Sequence, residues 1–498
     1  MLLVGFGIRM VDLTDQPLDF HPTRQLRGAI IARGMYYQML PDVDPELRRQ
    51  AISFWNSTGQ YEPSVIEKIV AYTYIWLGGE QLWVSRIYTS LFWIIGGIAL
   101  FALARRMLTP TEPGAQRSIL PAGALLTLGY YLFLPFAVQA SRSFQPDPGM
   151  VMWIILSLYT LYRWSEQPSW KWAVLTGLLG GIAVLIKIPA AFIVAGASVV
   201  MVLYTLGFRR FWRSPQVWVM MILMILPSAI YYQSCCAISG IGQGHASDYL
   251  ENWTIALSHL ILEPAFYVRW FSFVQDLMGF TAILLSLIGV LIASQRSRML
   301  LLGLWGGYFV YGLSLPYQMY THSYYHLQLV PIIALSLAPV GQLIFERVRQ
   351  QSKVWQALFT GVVVVAAIYP LWIARSTLKQ EDYRQEPAYW QDIGSKLPTD
   401  GKIIALTQDY GYRLMYYGWR KVTLWPNRGE RALSALRGKS KEFEDYFAKH
   451  TANKNYFLIT AFGQLNDQPD LKQTLYDKYP ILTQANGYVI FDLAHPLK

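Results

Sequence analysis

The chain is short of cysteine and of charge. Cys235 and Cys236 are its only cysteines, and adjacent cysteines offer neither metal-ligand spacing nor a pair suited to a disulfide bond, which argues against zinc and redox chemistry. Charged residues make up 15% of the 498 residues and hydrophobic residues 53%. Soluble domains carry about 25% charged residues. These proportions predict a polytopic membrane protein.

The excess of positive charge is dispersed. The net charge is +11, but the basic residues are spread over many short loops rather than gathered in one tract. This distribution argues against a nucleic-acid partner.

Ten apolar runs are candidates to cross a bilayer, for which a helix needs about 20 residues. They lie at 88–104, 120–138, 150–162, 172–186, 190–206, 217–231, 277–293, 299–315, 327–345 and 355–373. An apolar stretch at 1–11 is too short to span, and we interpret it as a truncated or misannotated first span. With it, the sequence predicts about eleven transmembrane helices.

The loops between these runs predict an orientation. If every run crosses once, clusters of basic residues occupy five alternate loops on one side, which the positive-inside rule assigns to the cytoplasm. The clusters are Arg105, Arg106 and Arg117; Arg163 and Lys171; Arg209, Arg210 and Arg213; Arg296 and Arg298; Arg347, Arg349 and Lys353. The long loops 14–66 and 233–270 then lie outside. Ordered loops longer than about 12–15 residues are more often functional than not.

The composition changes near residue 376 to that of a soluble domain. Short apolar segments at 403–406, 456–460 and 488–491 read as strands, and 388–396 and 442–450 read as helices between them. We therefore predict an α-helical polytopic membrane domain over 1–375 and a small extracytoplasmic α/β domain over 376–498.

Polar and titratable residues recur in the predicted external loops. They are Asp15, Asp19, His21, Arg24, Arg27, Glu62 and Glu67 in the first loop; Arg142 and Asp147 in the second; Lys187 at the end of the fifth span; and His322, Tyr324, Tyr325 and His326 before a late span. Each has a structural alternative, since the aspartates suit turns and helix caps, a lysine can reach the interface, and Tyr and His suit an interfacial belt. Because all of these residues are predicted on the same side of the membrane, we expect them to form a common site.

The order of these motifs resembles that of the GT-C membrane glycosyltransferases, especially bacterial relatives of the protein O-mannosyltransferases and of the aminoarabinose lipid A transferase. The resemblance covers about residues 12–337 and departs from the family where an acidic pair becomes Asp19-Phe20 and a second proline becomes Ser64. It is carried by Asp19, Ala32-Arg33-Gly34-Met35, Tyr61-Glu62-Pro63, Leu77-Gly78-Gly79-Glu80, Val84-Ser85-Arg86, Arg142 to Asp147, Leu185-Ile186-Lys187-Ile188-Pro189, and His322-Ser323-Tyr324-Tyr325-His326 with Pro331.

The resemblance implies an inverting hexosyl- or pentosyltransferase in the bacterial plasma membrane, with its active site outside the cytoplasm. Its partners would be membrane lipids, a polyprenyl-phosphate sugar donor and an acceptor that is a protein, a lipid or a glycan. Asp19 is the expected catalytic base, with Asp15 as the alternative. The residues expected at the donor phosphate are Arg24, Lys187, His322 and His326; those expected to orient the acceptor or the first loop, or to hold a metal, are Asp147, Glu62, Arg142 and Tyr325.

No cofactor is firmly expected, and a metal-independent reaction is favoured, with a divalent cation left open. Two other functions stay open. A transporter or flippase of lipid-linked sugars predicts charge near the bilayer midplane. A non-catalytic membrane assembly subunit is the second alternative.

Overall fold

The computed structural model describes residues 1–59, 62–109, 121–238, 250–398, 402–439 and 442–497. Parts of the predictions lie outside the described residues: Tyr61 of one motif, Arg117 of one basic cluster, and 239–249 of the second long loop. The chain forms two compact units. Unit 1 comprises Met1–Leu13, Tyr61–Ile66 and Trp83–Glu381, and unit 2 comprises Thr14–Gln60, Glu67–Leu82 and Asp382–Lys498.

The described residues up to 381 are almost wholly helical. The helices are α1 (Leu2–Arg9), α2 (Pro22–Met39), α3 (Pro45–Ser57), α4 (Val65–Leu77), α5 (Trp83–Met107), α6 (Ala122–Phe133), α7 (Pro135–Ser141), α8 (Asp147–Glu166), α9 (Trp170–Ile186), α10 (Ala190–Leu206), α11 (Phe208–Phe211), α12 (Pro215–Ile238), α13 (Pro264–Met278), α14 (Phe280–Ile292), α15 (Gln295–Ser314), α16 (Pro316–Met319), α17 (Leu329–Arg349) and α18 (Lys353–Leu378). Each of the ten predicted apolar runs falls on one or two of these helices.

Four helical stretches among the described residues are long and apolar enough to cross a membrane, namely Trp83–Met107, Pro215–Ser234, Ser323–Arg349 and Lys353–Leu378. Two bent pairs would raise the number to six, and Trp170–Ile186 and Ala190–Leu206 are shorter apolar helices. This architecture is that of a multi-pass membrane protein. The total of about eleven spans stays a prediction.

One predicted run, 120–138, is not a single helix. It breaks at Leu134 into α6 and α7, whose axes differ by 59°. The cause is Pro135, which has no N–H to continue the helix and forces Leu134 into an extended conformation with ψ of 123°. A second break, of 97°, separates α13 from α14, where Gly279 adopts a φ of 85°.

Glycines allow the helices of unit 1 to approach closely. A Cβ atom on Gly307 of α15 would lie 2.4 Å from the Phe192 carbonyl oxygen of α10, and one on Gly303 would lie 2.7 Å from the Gly196 carbonyl oxygen. Gly303 and Gly307 are four residues apart and therefore share a face of α15, which is the small-residue spacing that brings helix backbones into contact in membranes.

Unit 2 contains the first-loop helices α2 and α3. The sequence interpretation treated residues 19–25 as a polar loop, but α2 begins at Pro22, so Thr23, Arg24 and Gln25 lie in its first turn. Proline fits this position because its fixed φ suits a helix and its missing N–H would have no partner there. His21 precedes the helix with a left-handed φ of 45°.

The remainder of unit 2 is an α/β fold. Its helices are α19 (Glu386–Lys396), α20 (Tyr412–Tyr417), α21 (Arg428–Leu436), α22 (Phe443–Thr451), α23 (Phe462–Asn466) and α24 (Pro469–Lys478), and its strands are β1 (Ile403–Leu406), β2 (Thr423–Leu424), β3 (Tyr456–Ile459), β4 (Ile481–Ala485) and β5 (Tyr488–Asp492). The sheet order is β2-β1-β3-β5-β4. β1 pairs in parallel with β2 and β3, and β5 pairs antiparallel with β3 and β4.

The three predicted strands and both predicted helices of this α/β fold are present within one or two residues. β2 and β4 were not predicted. β2 has only two residues, and the residues of β4 are mostly exposed, so neither gives the continuous apolar pattern of a buried strand. The core lies where Ile404, Phe457, Val489 and Phe491 of the central strands meet Trp425 and the surrounding helices.

Candidate functional site

The predicted site residues are divided between the two units. Asp19 and Arg24 belong to unit 2, and the others belong to unit 1: Glu62, Arg142, Asp147, Lys187, His322, Tyr325 and His326.

Lys187 and Asp147 form a buried ion pair in unit 1. Lys187 Nζ lies 2.8 Å from Asp147 Oδ1, and the two side chains are 6% and 2% exposed. Lys187 follows α9 in an extended conformation, because the helix cannot continue into Pro189. Asp147 is the first residue of α8, and Pro146 occupies the cap position. The alternative interpretation of Asp147 as a helix cap is therefore wrong: its carboxylate holds a lysine.

Aromatic rings cover this ion pair. Lys187 Nζ lies 4.8 Å from the ring centroid of Tyr324 and 5.2 Å from that of Tyr325, distances at which a cation is attracted to an aromatic face. The His322 ring is 5.7 Å from Tyr324 and 5.9 Å from Tyr325. Tyr325 also stacks on Tyr311 of α15. The structure thus brings together Asp147, Lys187, His322 and Tyr325, which the sequence had singled out separately.

His326 and Arg142 are held by neighbouring groups in unit 1. His326 is fully buried, with Nδ1 2.6 Å from the Tyr308 hydroxyl and Nε2 3.0 Å from the Met319 carbonyl oxygen. Both ring nitrogens are therefore engaged, with Nε2–H donating to the carbonyl. Arg142 donates to the carbonyl oxygens of Val11 and Asp12, the second at 3.1 Å. Because these contacts are all to other groups of the protein, they indicate that His326 and Arg142 position the surrounding chain rather than contact a ligand directly.

Gln145 is a buried polar residue that sequence reasoning missed. It is 1% exposed, and within the described part of the chain neither Nε2 nor Oε1 of its side chain has a hydrogen-bond partner. Asp147 Oδ2 is likewise buried without a hydrogen-bond partner among the described residues. Buried polar atoms of this kind cost free energy unless solvent or a ligand satisfies them. The available signal was its position between Phe144 and Pro146, inside the Arg142-to-Asp147 motif.

Asp19 is a half-buried carboxylate at the start of α2. Gln25 Nε2 donates to Asp19 Oδ1 at 3.1 Å and to the Phe20 carbonyl oxygen at 2.8 Å, and Gln25 is itself fully buried. A buried amide in the first turn of the helix therefore fixes the carboxylate.

Asp15, the alternative base, is in a different environment. It is 6% exposed, and its two carboxylate oxygens each lie 3.1 Å from the Tyr383 backbone N–H, while Gln16 N–H also donates to Oδ1 at 2.8 Å. These contacts connect the first loop to the α/β fold within unit 2. Asp15 therefore stabilises the fold of unit 2. Asp19 is the better candidate for a catalytic base.

The other candidate residues of the first loop are partly described. Arg24 is half-buried in the first turn of α2, and Glu62 is half-buried in unit 1. Arg27 is buried and donates to the Thr58 and Gly59 carbonyl oxygens at 3.3 and 2.7 Å, which closes the end of α3 against α2.

A second polar cluster in unit 2 involves Arg33 and Glu80, residues of two family-like motifs to which the sequence reading gave no role. Arg33 Nε lies 2.9 Å from Glu80 Oε2, the Tyr416 hydroxyl donates to the same oxygen at 2.8 Å, and the guanidinium lies 3.6 Å from the Tyr416 ring. Burial opposes the charge on Arg33, but the Glu80 carboxylate, which accepts its hydrogen bond, outweighs burial and raises the pKa of Arg33. Burial and the Glu80 charge raise the pKa of Tyr416 well above its ordinary range, so its hydroxyl stays protonated.

The described residues contain no group of three or more His, Cys, Asp or Glu side chains arranged to hold a metal ion. Metal dependence stays a matter for experiment.

Comparison with known proteins relates this architecture to membrane glycosyltransferases. Residues 68–232 match a family model described as dolichyl-phosphate-mannose-protein mannosyltransferase. The chain has the fold of solved membrane glycosyltransferases of the GT-C type, so the fold that the sequence resemblance implied is confirmed. No curated protein matches the chain by sequence.

Three solved structures illustrate this fold. ArnT from Cupriavidus metallidurans, bound to undecaprenyl phosphate, is similar with a TM-score of 0.59 and 16% identity, over 98% of this chain and 96% of its own. The Archaeoglobus fulgidus oligosaccharyltransferase in its apo form is similar with a TM-score of 0.51 and 13% identity, over 100% of this chain and 75% of its own. The same enzyme tethered to an acceptor peptide with the NVT sequon is similar with a TM-score of 0.51 and 12% identity, over 99% of this chain and 74% of its own.

Proposed function

We propose that this protein is an inverting glycosyltransferase that moves a sugar from a polyprenyl-phosphate donor to an acceptor outside the cytoplasm. The observation that carries the proposal is the buried Asp147–Lys187 pair under Tyr324 and Tyr325. A buried lysine oriented by a carboxylate suits an anionic leaving group. The similar ArnT structure binds undecaprenyl phosphate, which supports a lipid phosphate as the donor.

Each residue is assigned one role in this reaction. Asp19 accepts the proton of the acceptor hydroxyl as its oxygen bonds to the anomeric carbon. The bond between that carbon and the phosphate oxygen breaks, and the phosphate leaves with the electron pair. Lys187 stabilises the negative charge that accumulates on the phosphate. Asp147 orients Lys187. The buried amide of Gln145, which has no hydrogen-bond partner among the described residues, is proposed to contact the donor.

The supporting roles are also assigned. His322 and Tyr325 lie beside Lys187 and are proposed to contact the donor. Arg24 is proposed as a further cation for the donor phosphate, and Glu62 is proposed to orient the first loop or the acceptor. His326 and Arg142 hold the surrounding backbone. We place the protein in a bacterial plasma membrane, with the catalytic residues and the 376–498 region extracytoplasmic, because the basic loops lie on the opposite side.

The deciding experiment measures consumption of a polyprenyl-phosphate sugar by membranes containing this protein, with Asp19→Asn and Asp15→Asn compared. We expect Asp19→Asn to abolish transfer without changing expression or membrane insertion, because an amide cannot accept the proton. Asp15→Asn is expected to lower stability while leaving residual transfer.

Two outcomes would contradict these assignments. Full activity of Asp19→Asn would move the base elsewhere. Movement of the intact donor across the membrane without its consumption would identify a transporter instead.

A further inference from the structure

Unit 2 contains a cleft that has no part in the proposed transfer chemistry. It lies between α3 and the edge of the sheet formed by β1 and β2, and its volume is about 310 Å³. A second, more open depression of about 470 Å³ adjoins it at Lys421. The described residues of its lining that matter here are Lys402, Trp419, Arg420, Lys421 and Lys454.

The lining of the cleft carries positive charge only. Four of its described residues are cationic, Lys402, Arg420, Lys421 and Lys454, and none is a carboxylate. Like charges gathered in one concave surface produce a positive potential that attracts anions. Arg49, in the adjoining depression, is paired with Glu46 and therefore adds little to this potential.

Two of these cations are fixed by neighbouring groups. Arg420 Nε donates to the Leu397 carbonyl oxygen at 3.0 Å, and Lys454 Nζ donates to Thr423 Oγ1 at 2.6 Å. Lys402 and Lys421 are exposed, and neither has an ion-pair partner among the described residues. An anion in the cleft would therefore meet two preorganised cations and two adaptable ones.

Trp419 adds an aromatic wall in an unusual backbone conformation. Its φ is 51°, a left-handed value that is unfavourable for a bulky residue. Two hydrogen bonds stabilise this conformation, since Gln50 Nε2 and Arg420 Nη1 both donate to the Trp419 carbonyl oxygen at 3.0 Å. Side chains held in such conformations by several contacts cluster at functional sites.

We propose that this cleft is a binding site for a phosphorylated saccharide. The cations would hold the phosphate oxygens through charge-assisted hydrogen bonds, and the Trp419 ring would cover the apolar face of the sugar. The site is separate from the assigned transfer residues, so ligand binding requires neither the Asp19 nor the Lys187 chemistry.

The test is equilibrium binding of glucose 6-phosphate to the full-length protein in phosphatidylcholine nanodiscs, with glucose and inorganic phosphate as comparison ligands. We expect glucose 6-phosphate to bind more tightly than either one. The double variant Lys402→Gln, Lys421→Gln should weaken binding at least about tenfold, since it removes two hydrogen bonds to a charged group. Lys478→Gln changes an exposed lysine outside the cleft and should leave the affinity unchanged.

Several results would overturn the proposal. Equal affinity of the double variant and Lys478→Gln would show that the cleft lysines do not bind the ligand. Inorganic phosphate or glucose binding as tightly as the sugar phosphate would refute the saccharide assignment. Loss of binding when phosphatidylglycerol replaces phosphatidylcholine would identify a lipid-headgroup site. Asp19→Asn should retain binding, so failure of the proposed transfer reaction would be seen separately.

Discussion

At the scale of single residues, Lys187 and Asp147 form an ion pair in a nearly solvent-free environment. Such a pair is stabilising only while both partners are present, because one uncompensated buried charge loses its solvation and gains nothing in return. Its geometry also explains why neither residue could be assigned from its own neighbourhood in the sequence. Lys187 occupies a turn set by Pro189, whereas its partner comes from the first turn of another helix.

We predict that Lys187→Met lowers the stability of the protein by about 3–5 kcal/mol, since it leaves the Asp147 carboxylate buried without a countercharge. The double variant Asp147→Leu, Lys187→Met should recover most of that stability but remain inactive in sugar transfer. Thermal unfolding in detergent and the donor-consumption assay measure the two effects. Lys171→Met, at an exposed lysine, is the control and should shift stability by at most about 0.5 kcal/mol.

If the double variant unfolded as readily as Lys187→Met, the cost would come from lost packing and not from an unpaired charge. Transfer by the double variant would remove Lys187 from the proposed mechanism.

At the scale of elements, the contact between α10 and α15 depends on the absence of side chains. In a membrane, helices associate through close packing because lipid is as apolar as the helix surface. Gly196, Gly303 and Gly307 bring the two backbones within contact distance. Gly306, next to Gly307 on α15, has no atom within 4 Å of the position its Cβ would occupy.

We predict that Gly307→Ala destabilises unit 1 by about 1–3 kcal/mol, because the new methyl group would overlap the Phe192 carbonyl and force the helices apart. Gly306→Ala introduces the same group one residue earlier and should be neutral or stabilising by about 0.5–1 kcal/mol. Thermal unfolding of the two purified variants checks this difference. Equal melting temperatures would show that the contact is not a tight one in solution.

At the scale of the whole molecule, the chain folds into units that do not follow sequence order. Thr14–Gln60 and Glu67–Leu82 join the C-terminal residues in unit 2, although some 300 residues of unit 1 separate them. Arg33, Glu80 and Tyr416 form one buried connection, and Asp15 with the Tyr383 backbone N–H forms another. The C-terminal fold therefore stabilises the loop helix that follows Asp19.

We predict that Glu80→Gln weakens this connection by about 1.5–3 kcal/mol, the range for hydrogen bonds to charged groups. Hydrogen exchange should rise in α2 and in Tyr412–Tyr417 together, and sugar transfer should fall because Asp19 precedes α2. Glu46→Gln is the matched control, since its pair with Arg49 is exposed and contributes about 0–1 kcal/mol.

Faster exchange in α2 alone would show that α2 does not depend on the C-terminal fold. Unchanged transfer despite faster exchange in both segments would show that this connection does not position Asp19.

Much of the fold could be predicted from the sequence because it depends on local chemistry. Apolar runs define the helices of unit 1, Pro189 ends a helix beside Lys187, and alternating short strands and helices define the C-terminal α/β fold. The break at Pro135 was also readable in principle, since proline acts on its own helix. β2 and β4 were missed because their pairing, rather than their sequence pattern, makes them strands.

The candidate site was predictable only as a set of separate residues. The sequence alone determined that Asp147, Lys187 and His322 lie in or beside loops predicted on one side of the membrane, which favoured a common site. Tertiary structure decided which groups meet: Lys187 with Asp147 under two tyrosines, His326 with Tyr308, and Asp15 with a backbone 368 residues away. The physical reason is that composition and periodicity act along the chain, whereas ion pairs form between whichever charged groups folding buries together.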